Sequence, residues 1–64
     1  MTENRKEDIR NMVISALNSM GNHFFYVEVD VNSQEEANYT AHLWHTGKVV
    51  RNDEHVWIVG FSAG

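Results

Sequence analysis

Four histidines, His23, His42, His45 and His55, are the side chains of this 64-residue sequence best suited to chemistry near neutral pH. His42-x-x-His45 has half of a zinc spacing, but residues three apart on a strand point to opposite faces. A zinc site would also need His23, His55 or a carboxylate to gather at one edge, because zinc takes three or four protein ligands. His42 with Glu28 and Arg51 forms the other possible set, a histidine, a carboxylate and a cation for acid–base cleavage of RNA without a metal. A cleft would have to hold those three together, and a sheet this small has little room for one. The sequence has no cysteine, no glycine-rich phosphate loop and no serine spaced to pair with a histidine. A non-enzymatic protein with no metal and no cofactor is therefore expected.

Charge gives a second chemistry, that of docking. The formal net charge is −4. Residues 1–20 balance Glu3, Glu7 and Asp8 against Arg5, Lys6 and Arg10. The remainder sets six carboxylates against Lys48 and Arg51 alone. Direct nucleic-acid binding needs a basic footprint, and none is present. Glu28, Asp30, Glu35 and Glu36 instead form an acidic strand and turn. Such a group could steer the protein onto a basic surface. In size and acidity, though in no motif, the chain is similar to phage-encoded accessory proteins that block nucleic-acid enzymes.

The elements that must position these residues follow from periodicity. Ile9, Met12, Val13, Ala16, Leu17 and Met20 make one apolar stripe at helical spacing, which predicts an amphipathic helix over about 4–20. Asn4 with Glu7 resembles a capping box, and Gly21 suits the residue that ends a helix. From His23 the period falls to two, predicting a strand over about 23–31. Phe25, Val27, Val29 and Val31 share one face, with Phe24, Tyr26, Glu28 and Asp30 on the other. A polar turn over 32–36 leads to a second expected strand over 37–46, where Tyr39, Ala41 and Leu43 alternate with Thr40, His42 and Trp44. Residues 51–54 carry the hairpin signal, and the last strand is expected over 55–62. The fold class is thus α+β, in α-β-β-β order. One helix covers one face of a three-stranded antiparallel sheet, with room for a short fourth strand over 48–50.

A lone helix shelters only one side of a sheet, and here both sides carry large apolar residues. Phe24, Tyr26, Trp44, Val56 and Ile58 are left for the side without a helix, fringed by Glu28, Asp30, Thr40 and His42. Contiguous exposed apolar surface marks interaction sites, and Tyr and Trp are frequent anchors. The expected function is a small acidic protein-binding module, an inhibitor or regulator. Its expected binding residues are Phe24, Tyr26, Glu28, Asp30, Glu35, Glu36, His42, Trp44 and Ile58. Two alternatives stand beside it: a structural homodimer, and a small metal-independent nuclease or toxin using His42. With no apolar run of membrane-spanning length and no signal-peptide pattern, the expected location is the cytoplasm, with no membrane partner.

Overall fold

The computed structural model describes residues 1–23 and 25–63, with side chains for 1–20 and 25–63. Five elements follow one another: α1 (Glu3–His23), β1 (Tyr26–Val31), α2 (Gln34–Ala41), β2 (Lys48–Asp53) and β3 (Val56–Ser62). The fold is α+β, with α1 packed on a three-stranded antiparallel sheet as its periodicity requires. The order is α-β-α-β-β, because a second helix replaces the strand expected over 37–46.

Helix α1 starts at a different cap from the one expected. The Thr2 hydroxyl accepts a hydrogen bond from the Arg5 N–H at 3.1 Å, so Thr2 caps the helix rather than Asn4. At the other end the helix runs through Gly21 to His23, displacing the start of the first strand to Tyr26. Ile9 and Val13 are buried on its inner face, with Met20 one further turn-pair along.

Helix α2 has a local cause. Ser33 is extended, and its hydroxyl accepts from the Glu36 N–H at 3.2 Å. Glu35 and Glu36 fall in the first turn, where carboxylates favour the positive end of the helix dipole. Ala37 and Thr40 then face inward, both fully buried, and the Thr40 hydroxyl donates to the Glu36 carbonyl at 2.7 Å. Thr40 is therefore core and not a fringe of the sheet.

The strand order is β1-β3-β2, so the last strand in sequence is central. Val29 and Val31 from β1, and Val59 and Phe61 from β3, meet Ile9, Val13 and Ala37 in one core. The residues given to a possible fourth strand belong to β2. The β2–β3 hairpin turns at Glu54 and His55, between the paired Asp53 and Val56, so Arg51, Asn52 and Asp53 lie in a strand and not in the turn. Glu54 adopts a positive φ of 35°, an unfavourable conformation for a residue with a Cβ. Among the described residues no helix is long and apolar enough to cross a membrane.

Candidate functional site

The side of the sheet without helices is not the greasy surface the sequence suggests. Tyr26, Glu28 and Asp30 do point to it from β1, as expected. Trp44 does not, because it lies in the loop between α2 and β2. Ile58 reaches that side from the central strand but is only 6 % exposed. It sits between Asp30 and Arg51 in register, under charged neighbours. Phe24 falls outside the described residues. Phe25, assigned by alternation to the helix face, precedes the strand and is 87 % exposed.

Polar contacts roof this face. The Tyr26 hydroxyl donates to Glu28 Oε2 at 2.9 Å, and Arg51 Nη2 approaches Glu28 Oε1 at 3.3 Å. Arg51 Nε lies 3.6 Å from Asp53 Oδ2. The Tyr26 ring packs on Gly60, where an added Cβ would collide with the phenol, so the glycine lets the ring lie flat on the sheet. Partial desolvation, then the hydrogen bond to Glu28, raises the Tyr26 phenol above its ordinary pKa. A sheet surface covered in this way offers charge and one face of the Tyr26 ring, not a broad apolar patch.

The acidic turn is largely neutralised from within. Glu36 accepts two hydrogen bonds from Arg5, to Nε at 2.8 Å and Nη2 at 2.9 Å, and a third from the Asn32 N–H. Its carboxyl is held below the usual carboxylate range, chiefly by the Arg5 hydrogen bond. Glu35 lies 3.0 Å from the Met1 amine. Both residues tie the start of α2 to the start of α1; the Glu36 side chain is largely covered, while that of Glu35 stays exposed beside the amine.

The histidine set does not assemble. His42 follows the last turn of α2 in the helix layer, its N–H bonded to the Tyr39 carbonyl at 3.2 Å. Glu28 and Arg51 meet on the opposite side of the sheet. Among the described residues no three His, Asp or Glu side chains gather as metal ligands would.

Two of the exposed apolar residues, Ile14 and Trp44, instead line a common groove. Ile14 and Leu17 from α1 face Trp44 across a groove of about 570 Å³, with Met20 at its wall and Ala63 at the end of β3. Ile14 is 56 % and Trp44 41 % exposed. His45 also lines the groove, its ring centroid 4.9 Å from that of Trp44. The loop bearing Trp44 is fixed at several points. Thr46 donates its hydroxyl to the Ser62 carbonyl at 2.9 Å and accepts the Ser62 N–H at 3.1 Å, standing in for a strand partner just ahead of the start of β2. The Gly47 N–H bonds the Trp44 carbonyl at 3.0 Å. Gly47 itself presses so closely on the Ala41 carbonyl that no larger residue fits without rearrangement. The groove is therefore preformed, as ligand and partner sites commonly are.

Of the residues expected to bind that are described, only Trp44 belongs to this groove. The sequence carries one signal for the groove outside that set: Ile14 falls off the α1 core stripe, an apolar residue with no place in the helix's buried face. No protein-family model, no curated protein and no solved structure matches the chain.

Proposed function

We propose that the protein is a non-enzymatic binding module, an inhibitor or regulator that docks on another protein through the groove between α1 and the Trp44 loop. One observation carries this reading. Ile14 and Trp44 stand exposed in a preformed groove whose lining, among the described residues, contains no Asp, Glu, Lys or Arg. Its complement is an uncharged, apolar segment of a partner, with Trp44 as the aromatic anchor. Binding of that kind depends little on ionic strength, unlike docking by an acidic turn.

The test is capture from lysate of the source cells by immobilised wild-type, Ile14→Asp and Trp44→Ala proteins, each at low and high salt. Both substituted positions are substantially exposed, so both variants are expected to fold, which thermal unfolding checks. A partner held by the wild type at both salt levels, and reduced about tenfold or more by Ile14→Asp, supports the groove; that loss is about 1.4 kcal/mol or more. A partner that survives both substitutions, or leaves the wild type at high salt, overturns it. So does a wild-type dimer in sedimentation that Ile14→Asp dissociates, since the groove would then belong to a second copy.

A further inference from the structure

The two edges of the sheet are treated differently. On β2 the register against β3 shifts between Val49 and Arg51, a bulge at Val50 that breaks the regular edge. Lys48 and Arg51 add charge to it. Bulges and basic side chains are common ways of keeping an edge from pairing with another chain. On the opposite edge, β1 runs six residues in unbroken register with β3, from Tyr26↔Ser62 to Val31↔Trp57.

The direction of the free backbone groups on β1 can be read from one bond. The Ala63 N–H donates to the Phe25 carbonyl at 3.0 Å, one step before the Tyr26↔Ser62 pair. Hydrogen-bonded and non-bonded pairs alternate along an antiparallel ladder. Phe25, Val27, Val29 and Val31 therefore turn their N–H and C=O groups towards β3. Tyr26, Glu28 and Asp30 turn theirs outward, where the sheet has no further strand.

Beside this edge lies a second groove of about 580 Å³, bounded by Met12, Ser15 and Ala16 of α1 and by Glu28, Val29 and Asp30 of β1. A strand laid along it would alternate its side chains between two surroundings. Those on the Val29 side would meet Met12 and Ala16. Those on the other side would lie next to Glu28 and Asp30. Asp30 is exposed and takes part in none of the ion pairs formed among the described residues. A second copy of the chain is a poor occupant, because antiparallel self-pairing about Glu28 sets that carboxylate against itself, and like charges directly opposite are destabilising.

We propose that the β1 edge accepts, as an added fourth strand, an extended segment of another protein in which basic and apolar residues alternate. Backbone pairing to Tyr26, Glu28 and Asp30 holds the segment, its basic residues face Glu28 and Asp30, and its apolar residues seat against Met12 and Ala16. This site lies on the other flank of α1 from the Trp44 groove and stands or falls without it.

The probe is a capped peptide of alternating lysine and valine, read by amide hydrogen exchange on the intact chain. Exchange at the Glu28 and Asp30 amides is expected to slow about tenfold at saturating peptide, with β2 unaffected. A glutamate–valine peptide and an N-methylated lysine–valine peptide should both fail to protect these amides. In Asp30→Lys the preference should shift towards the glutamate peptide, whereas Ile14→Asp should leave the protection intact. The proposal is overturned if the lysine peptide leaves both amides unprotected, if the glutamate peptide protects the wild type equally, or if protection falls on β2. Protection that grows with protein concentration in the absence of peptide also overturns it, by assigning the edge to self-pairing.

Discussion

Glu36 joins three separate parts of the chain through one carboxylate. Arg5 holds it from the first turn of α1, the Asn32 N–H from the end of β1, and its own backbone N–H is taken by the Ser33 cap of α2. The Glu36 and Arg5 side chains are 13 % and 28 % exposed, so solvent screens this pair less than the Arg51–Glu28 pair on the sheet. Bidentate pairing of this kind is among the stronger charged contacts. Because the folded state holds the Glu36 pKa below its unfolded value, the stabilisation is complete above the unfolded value. It is lost as pH falls through the folded one. Arg5→Met should therefore cost about 1–2 kcal/mol at neutral pH. Its melting temperature should approach that of the wild type as the solution is acidified through the carboxylate range. Thermal unfolding over a pH series measures this directly. Two curves that stay parallel to low pH would mean that Arg5 acts through packing alone.

At the scale of elements, α2 occupies a stretch whose sequence fits a strand as well as a helix. Residues 37–44 satisfy two periods at once. Tyr39, Ala41 and Leu43 alternate like a strand, while Ala37, Thr40 and Ala41 fall on one helical face. Periodicity cannot decide between them over so short a run. The deciding signal was local: Ser33-x-x-Glu36 has the residue types of a capping box, though Glu36 uses its side chain on Arg5 and Asn32 instead of reaching back to Ser33. The cap stabilises an eight-residue helix too short to persist alone. Ser33→Ala should cost about 1 kcal/mol. Guanidinium unfolding followed by circular dichroism would show a lower midpoint with an unchanged slope, whereas no shift would mean that tertiary contacts alone hold α2. The α1 stripe, the β1 alternation and the final strand were all legible because each has one period and enough length. Strand order was not, since nothing local to β3 says that it pairs with both neighbours.

At the scale of the whole molecule, two sets of apolar residues must be told apart, those buried in the core and those left exposed. Composition cannot separate them, which is why the sequence places Trp44 on a strand rather than in the loop after α2 and gives no role to Ile14. Burial does separate them. Phe61 is fully enclosed on the central strand, at the junction of both helices with the sheet. Trp44 and Ile14 are substantially exposed. A domain of 64 residues has only about 3–10 kcal/mol of stability to lose, at the usual contribution per residue. Phe61→Ala removes about 3–5 kcal/mol, the loss of a buried aromatic together with the cavity it leaves. That variant should melt far lower or be unfolded at room temperature. Trp44→Ala should cost much less, about 1 kcal/mol, because its ring already meets water on one side. Comparing the two by thermal unfolding tests the division on which the groove depends. If Trp44→Ala costs as much as Phe61→Ala, then Trp44 belongs to the core, and the groove loses the residue proposed to anchor a partner.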